Sequence, residues 1–227
     1  SERMIDALKA IRLLANRNLY VRKNMTHFSE YALHEQLQAN LDKAGLKQPT
    51  EIQQGVIPEA LKGNDVVAAA KTGSGKTLAF LLPLIQENLQ HVNRKSTNTF
   101  PHSPRALILS PTRELAEQIF TVAQTLTKGT KVHVTMLTGG VPIQKHKRQL
   151  KGKFHIIIAT PGRLLDLMNQ NELSLHEVST LVLDEADRML DMGFRFDILK
   201  IASFTFQPRQ TLLLSATLDG KIKDMIE

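Results

Sequence analysis

The stretch AAKTGSGKT, residues 69–77, contains the residue types that bind phosphate. Gly73 and Gly75 allow the backbone to curl so that successive N–H groups face one anion. Lys76 can reach the outer phosphates, and the Thr77 hydroxyl can join a Mg²⁺ shell. Ala70 stands where the general pattern has glycine, which is tolerable because the turn that follows cradles the anion. The stretch predicts a nucleoside triphosphate site, but kinases, GTPases, transporters and motors all use one.

A second stretch, TLVLDEADRML from residue 180, supplies the acidic groups that such a site needs. Asp184 and Glu185 follow an apolar run typical of a buried strand. We expect Asp184 to hold Mg²⁺, in part through water, and Glu185 to accept the proton of an attacking water as general base. Acidic residues that cap the next helix would explain one carboxylate but not the pair. The pair therefore favours hydrolysis over binding alone.

Predicted strands and helices alternate along most of the chain, and these elements must position the phosphate loop and the two carboxylates. Between the predicted strands lie helix-length stretches such as RELAEQIFTVAQTLTK. This alternation predicts an α/β fold, a mostly parallel β-sheet sandwiched between helices, with the ligand at the carboxyl ends of the strands. The predicted strands are DVVAAA from residue 65, RALILS from 105, KVHVTML from 131, FHIIIAT from 154, TLVLD from 180 and QTLLLSA from 210.

Two segments do not follow the alternation of strands and helices. Residues 1–25 predict a basic amphipathic helix, either an arm for RNA or a partner or a solvated helix packed on the domain. Residues 91–105 are polar and contain Pro101 and Pro104, which indicates a flexible surface loop. The prediction is thus an extension at 1–25 and one domain at 26–227.

Composition narrows the class of protein. The chain has 227 residues, 42% hydrophobic and 22% charged, as in ordinary globular proteins. It has no apolar run long enough to cross a bilayer, no secretory signal pattern and no cysteine, which fits an intracellular protein. With 29 basic and 22 acidic residues the net charge is +7, and a basic domain often meets nucleic acid. No Trp and no ladder of aromatic residues is present, which favours contact with the backbone over base stacking.

The order of seven short motifs resembles the first RecA-like domain of the DEAD-box ATP-dependent RNA helicases. The residues 184–187 spell DEAD, and GLKQPTEIQ (45–53) is similar to the adenine-reading motif of the family. AAKTGSGKT resembles its phosphate loop. The other similar motifs are PTRELA (111–116), Gly139-Gly140, TPGR (160–163) and SAT (215–217), with Phe28 at the upstream aromatic position.

The resemblance implies a role for each motif. The Gln53 amide would pair with the N6/N7 edge of adenine, with Leu46 as an apolar face for the base. Ser215 and Thr217 would hydrogen-bond Asp187 and couple the nucleotide site to RNA. The implied nucleotide-binding residues are Phe28, Leu46, Lys47, Gln53, Lys71, Thr72, Gly73, Ser74, Gly75, Lys76 and Thr77, with Lys76, Asp184 and Glu185 catalytic and Thr77 and Asp184 on Mg²⁺. The implied RNA-backbone residues are Pro111, Thr112, Arg113, Gly139, Gly140, Thr160, Pro161, Gly162 and Arg163.

The sequence also departs from the family pattern. Lys71 replaces the commonest glutamine, with little expected effect. The second RecA-like domain of the family, with its arginine fingers, is absent, which indicates a shortened chain or an excised first domain. We therefore expect a monomer that binds ATP and Mg²⁺ and one face of RNA, but hydrolyses ATP hardly at all. Its partners would be RNA and the second domain, and its location cytoplasmic or nuclear.

Three alternatives remain at this stage. One is a non-catalytic, ATP-gated RNA clamp or scaffold, against which Glu185 argues because a clamp needs no base. Another is a DNA translocase of the same superfamily, disfavoured by the DEAD spelling and by PTEIQ with Phe28. A GTPase is least favoured, because the chain lacks the Asn-Lys-x-Asp element that reads guanine.

Overall fold

Six strands form one sheet whose hydrogen-bonded neighbours all run parallel, in the order β1-β6-β5-β2-β4-β3. A computed structural model describes residues 25–93, 102–205 and 209–226. The strands are β1 (Val66–Ala69), β2 (Ala106–Leu109), β3 (Val134–Leu137), β4 (Ile156–Ala159), β5 (Thr180–Leu183) and β6 (Gln210–Ser215). All six lie within the predicted strand segments, and the predicted parallel α/β sheet is confirmed. The arrangement is RecA-like.

Helices connect the strands and cover both faces of the sheet. The helices are α1 (Glu35–Lys43), α2 (Glu51–Leu61), α3 (Lys76–Asn93), α4 (Arg113–Thr127), α5 (Ile143–Gln149), α6 (Pro161–Asn169), α7 (Ala186–Asp191), α8 (Arg195–Ser203) and α9 (Gly220–Ile226), with a 3₁₀ turn at Phe28–Tyr31. Two hydrophobic clusters, one on each face, form the core. Within β2, for example, Ile108 belongs to one cluster and Leu107 to the other, because successive side chains of a strand point to opposite faces.

The central strands β2, β4 and β5 are buried along their whole length, as expected for strands covered on both faces. Because all strands are parallel, their carboxyl ends lie at one edge of the sheet. The phosphate loop follows β1, and the segments that follow the other five strands meet it at that edge. The fold therefore gathers every predicted motif from 69 to 217 on one side of the domain.

The loop predicted at 91–105 is shorter than expected where the structure describes it. Helix α3 continues to Asn93, so the first three residues of the predicted loop are helical. At the other end the Ser103 hydroxyl is buried and accepts a hydrogen bond from the Glu177 backbone N–H at 2.9 Å. The predicted helix in residues 1–25 lies almost wholly outside the described residues. Among the described residues, no helix combines the length and apolarity needed to span a bilayer.

Candidate nucleotide and RNA site

The phosphate loop has the backbone conformation that the sequence predicts. Gly73 and Gly75 have φ angles of +82° and +83°, which side-chain-bearing residues adopt only with strain. Ser74 closes the turn, because its N–H and hydroxyl both donate to the Lys71 carbonyl, at 3.2 and 2.6 Å. Helix α3 begins directly afterwards at Lys76, so its N-terminal N–H groups and the positive end of its dipole face the loop. The segment is built to receive an anion.

Lys76 and the two acidic residues come together beneath this loop. The Lys76 Nζ atom lies 3.1 Å from Asp184 Oδ1 and 3.3 Å from Glu185 Oε1. Asp184 is 3% exposed, and this burial raises the pKa of its carboxyl above the ordinary value, while the charge of Lys76 opposes the rise. One buried cation therefore faces two carboxylates, a set that an incoming metal and polyphosphate would rearrange.

Glu185 has an unusual backbone for its residue type. Its φ and ψ are +52° and +51°, in the left-handed region, where it begins helix α7. Such strain is retained where the surrounding structure holds it, often at functional sites. This conformation places Glu185 in the phosphate-loop cavity, where its Oε1 accepts a hydrogen bond from the Thr72 hydroxyl at 3.4 Å.

A cavity of about 250 Å³ joins the loop to these carboxylates. Five of its lining residues come from the loop and the start of α3, and two are Asp184 and Glu185. The remaining three, Leu115, Gln118 and Ile119, lie on α4; the sequence did not predict them at the nucleotide site, although Leu115 belongs to the PTRELA motif. Only the position of α4 beside the loop places them there, so no motif chemistry could have found them. The PTRELA segment thus leads into one wall of the phosphate cavity.

The cavity fits Mg²⁺ bound together with phosphate. Asp184 Oδ1 and Glu185 Oε2 are buried carboxylate oxygens that face Lys76 Nζ at 3.1 Å and Arg188 Nη1 at 4.0 Å, so each keeps lone pairs for a metal ion or its waters. The Thr77 side chain lines the same cavity. The described residues contain no group of three or more His, Cys, Asp or Glu that would hold a metal alone, and Mg²⁺ typically binds through one or two carboxylates, waters and substrate phosphates.

The residues predicted to read adenine lie on the other side of the loop. The Gln53 side chain is 2% exposed; its Oε1 accepts from the Thr50 N–H and its Nε2 donates to the Gly75 carbonyl, both at 2.9 Å. Phe28 is buried in the core, and its N–H donates to the Lys47 carbonyl at 2.9 Å. Leu46 is partly buried against the same core. None of these four residues lines the phosphate cavity, and Gln53 contacts the loop through the Gly75 carbonyl.

The predicted RNA residues form a continuous track at the ends of β2, β3 and β4. The Arg113 guanidinium donates to the Gly140 carbonyl at 3.4 Å, and the Gly139 N–H donates to the Thr160 hydroxyl at 3.4 Å. Thr112 caps α4 by accepting from the Leu115 N–H at 3.3 Å. Gly139, Gly140 and Gly162 are exposed, whereas Pro111 and Pro161 are buried. The track therefore presents hydroxyl, guanidinium and backbone donors at the surface, while the two prolines are buried in the domain.

Arg163 occupies this track differently from its neighbours. Its guanidinium donates to the Val141 carbonyl at 2.7 Å and lies 3.0 Å from the Nδ1 atom of His146, a buried residue of α5. Burial, followed by the charges of Arg163 and Lys145, lowers the pKa of His146 to about 4, so its ring is neutral near pH 7 and accepts from Arg163. The arginine thus ties the start of α6 to the turn after Gly140.

The SAT segment meets the DEAD segment as predicted. The Thr217 hydroxyl and N–H donate to Asp187 Oδ2 at 3.2 and 3.3 Å. Ser215 also bonds Asp187: its hydroxyl accepts from the Asp187 backbone N–H at 3.2 Å and donates to the Thr217 carbonyl at 2.6 Å. Strand β6 is thereby joined to the first turn of α7, directly behind Glu185.

A family model described as DEAD/DEAH box helicase matches residues 50–225, which contain the phosphate loop, the carboxylates and the track. The chain belongs to this family. It is 46% identical over 204 residues to the ATP-dependent RNA helicase SrmB of Escherichia coli K12, covering 89% of this chain and 45% of that protein. It is 43% identical over 199 residues to SrmB of Haemophilus influenzae, covering 88% and 44% respectively. It is also 45% identical over 198 residues to DEAD-box ATP-dependent RNA helicase 20 of Arabidopsis thaliana, covering 87% and 38%.

The chain thus spans less than half the length of these curated relatives. Members of the family use ATP, generally with Mg²⁺, and bind RNA. The family assignment agrees with the geometry, because the phosphate loop and the strand-end track lie at one edge of one sheet.

Proposed function

We propose that this chain is the ATP- and RNA-binding domain of an ATP-dependent RNA helicase, and that it works with a second RecA-like domain to bend and locally unwind RNA. The observation that carries the proposal is the cavity in which Lys76, Asp184 and Glu185 meet the phosphate loop. That set suits hydrolysis of a phosphoanhydride, whereas a binding site alone needs no carboxylate placed to act as base. Its location would be inside the cell, where ATP and RNA are available.

The residues of the cavity would bind phosphate, bind Mg²⁺ or accept a proton. The loop N–H groups and Lys76 would hold the phosphates, while Thr77 and Asp184 would hold Mg²⁺, which neutralises charge on the phosphate oxygens when bound. Lys76 would exchange its contacts with the two carboxylates for contacts with phosphate. Glu185, released from Lys76 and kept by its backbone in the cavity, would accept the proton of the attacking water.

Gln53 has the capacity to read adenine while it supports the loop. Its amide oxygen has two lone pairs and its amide nitrogen two N–H groups, and Thr50 and Gly75 use one of each. The remaining lone pair and N–H match the N6 donor and N7 acceptor of adenine. Guanine carries an acceptor in place of the N6 donor, so the same amide would reject it.

The isolated chain would hydrolyse ATP very slowly, because arginine fingers from a partner surface contribute about 10³–10⁵ in rate to related phosphate-loop enzymes. The RNA track would read phosphates rather than bases, so that binding would be independent of sequence and weakened by salt.

Glu185→Gln tests the catalytic role. The variant keeps the side-chain shape but cannot accept a proton, so we expect ATP binding to be retained and RNA-stimulated hydrolysis by the longer protein, with both RecA-like domains, to fall about 10²-fold or more. The measurements are phosphate release and binding of a fluorescent adenine nucleotide. Lys200→Gln, on the exposed face of α8, is the matched surface control. Equal hydrolysis by the Glu185 variant would contradict the role, and brisk RNA-stimulated turnover by the 227-residue chain alone would contradict the need for a second domain.

A further inference from the structure

One long segment of this protein carries positive charge without any negative charge. Residues 118–165 contain eight Lys and Arg and no Asp or Glu. Because the whole chain has 29 basic and 22 acidic residues, removing these eight cations leaves 21 basic residues against 22 acidic ones. The segment therefore accounts for the whole of the net charge of +7.

This segment contains β3, the turn at Gly139 and Gly140 where the RNA track ends, and the helix α5 that connects β3 to β4. Strand β3 is an edge strand that ends beside Gly139 and Gly140. Since β4 runs parallel to β3, the chain must return to the amino-terminal ends of the strands before β4 begins. Helix α5, seven residues and about 10 Å long, makes most of that return.

Four cations mark the outer surface of this return; we call them the basic edge. Lys145 and Arg148 are exposed and three residues apart on α5, so they lie on the same face of the helix. Lys151 and Lys153 are exposed in the turn that leads to β4. No acidic residue in the described part of the chain forms an ion pair with any of the four.

The neighbouring charges do not neutralise this surface. Glu172 lies close to it, but it pairs with the adjacent Lys147 at 3.7 Å. The charges that lower the pKa of buried His146 come from Arg163 and Lys145, and those that lower the pKa of His155 include Lys153 and Arg105. Arg105 is paired with Glu87, whereas no acidic residue in the described part of the chain forms an ion pair with Lys145 or Lys153.

Such a surface fits a polyanion and disfavours the other common partners. It exposes charge rather than a large apolar side chain, since the exposed large hydrophobic residues of the described chain, Met192, Phe196, Phe204 and Leu218, all lie elsewhere. Cations without ion-pair partners, continuous with a track of phosphate-binding groups, are the footprint of a nucleic-acid backbone. An acidic protein would not need that continuity.

We propose that the basic edge is a second binding site for the RNA sugar-phosphate backbone. It would bind the part of the strand beyond the track at Gly140, along α5 and toward the amino-terminal ends of the strands. This inference rests on the proposed RNA-binding function and extends it. The occupant is RNA of any sequence that is longer than the track itself, so the basic edge selects for length and not for bases.

The test compares short and long RNA. The variant Lys145→Gln, Arg148→Gln, Lys151→Gln, Lys153→Gln removes the basic edge. Its control, Lys43→Gln, Arg195→Gln, Lys200→Gln, Lys223→Gln, likewise removes three lysines and one arginine, but from exposed positions on other helices. Binding of single-stranded RNA of about 6 and about 20 nucleotides is measured against salt concentration; the longer RNA exceeds the ~4–16 nucleotides that one single-strand-binding OB fold covers. Circular dichroism checks that both variants remain folded.

We expect the basic-edge variant to bind the long RNA more weakly but the short RNA equally well. Its salt slope should be smaller by about 0.7 for each RNA phosphate that the edge no longer neutralises, or up to about 3 in all. The control variant should bind both RNAs as the unsubstituted chain does. Equal binding of long RNA by the basic-edge and unsubstituted chains, with short RNA still bound, would overturn the inference and leave the proposed function intact.

Two other outcomes also decide the question. Failure of the unsubstituted chain to bind either RNA would overturn the proposed RNA-binding function itself, and the inference with it. A loss of binding to poly-glutamate, with long RNA bound normally, would assign the surface to an acidic protein and so overturn the inference.

Discussion

At the scale of single residues, the site depends on how closely Gln53 and Thr50 approach the phosphate loop. A Cβ atom on Gly75 would lie 2.5 Å from Gln53 Nε2 and 2.9 Å from Thr50 Oγ1, whereas one on Gly73 would meet nothing within 4 Å. Both glycines have positive φ angles, so the two positions share the backbone cost of any side chain and differ in the collision alone. The loop thus has a tight side toward the adenine-reading motif and an open side.

This difference makes a matched pair of substitutions informative. Gly73→Ala should destabilise the chain by about 1–2 kcal/mol, the cost of a left-handed alanine. Gly75→Ala should cost about 1–3 kcal/mol more, because the methyl group collides with two side chains that cannot withdraw without losing their hydrogen bonds. Urea unfolding of both variants gives the two free energies. Equal destabilisation at the two positions would show that Gln53 and Thr50 do not pack on the loop as the structure has them.

At the scale of helices and strands, the apolar pattern predicted the framework well. Segments such as RALILS and FHIIIAT are continuously apolar and bounded by turn residues, so they identified buried parallel strands whose ends could be placed together. The phosphate loop and the Asp184–Glu185 pair followed from local chemistry. These features are encoded by neighbouring residues, which is why the sequence reveals them.

Features that depend on the packing of distant elements were not predictable in this way. The α4 wall of the cavity, the contact of Gln53 with Gly75 and the tie between Arg163 and His146 each join segments far apart in the chain. Arg163 shows the difficulty, because its motif indicated an RNA contact while the structure gives its guanidinium two protein partners. A motif gives the residue type at a position, but the partner of that residue depends on the fold.

The tie between α5 and α6 predicts a pH dependence of stability. The pKa of His146 is about 4 in the folded chain, below the ordinary value of 6.5. The unfolded chain therefore binds more protons between pH 6.5 and 4, and the free energy of unfolding should fall as the pH is lowered through that window. The stabilisation is fully present above pH 6.5.

His146→Gln should flatten this dependence, because glutamine can still accept from Arg163 and does not titrate. The measurement is the free energy of urea unfolding at several pH values from 4 to 7. His155, whose burial and cationic neighbours also lower its pKa to about 4, should contribute a second share, so that His155→Gln flattens the profile further. His102→Gln, at an exposed position, is the control. An unchanged slope in the His146 variant would mean that the pKa of His146 is the same in the folded and unfolded chains.

At the scale of the whole molecule, the strand order separates the two predicted ligand surfaces. The predicted nucleotide site lies at the ends of β1, β5 and β6, and the predicted RNA track lies at the ends of β2, β3 and β4. Helix α4 lies between them, because its first residues belong to the track while Leu115, Gln118 and Ile119 line the cavity. The bonds of Thr217 and Ser215 with Asp187 join the segments that follow β6 and β5, behind Glu185. Helix α4 is therefore the element that the two surfaces share.

The preference of the predicted nucleotide site for adenine over guanine can be measured as a change in the melting temperature of the whole domain. A ligand that binds only the folded state stabilises it by about 2.7 kcal/mol when present at 100 times its dissociation constant. Mg²⁺·ADP should therefore raise the melting temperature, whereas Mg²⁺·GDP at the same concentration should raise it much less, because the free donor and acceptor of Gln53 match adenine alone. The measurement is a thermal melt at increasing concentrations of each nucleotide.

Gln53→Glu separates the two roles of this side chain. The carboxylate still accepts from the Thr50 N–H but can donate neither to the Gly75 carbonyl nor to adenine N7. We expect the variant to lose the preference for ADP over GDP and to melt at a lower temperature without ligand, because the Gly75 carbonyl loses its donor. A retained preference for ADP would assign base recognition to other residues, and equal shifts with ADP and GDP in the unsubstituted chain would contradict adenine reading altogether.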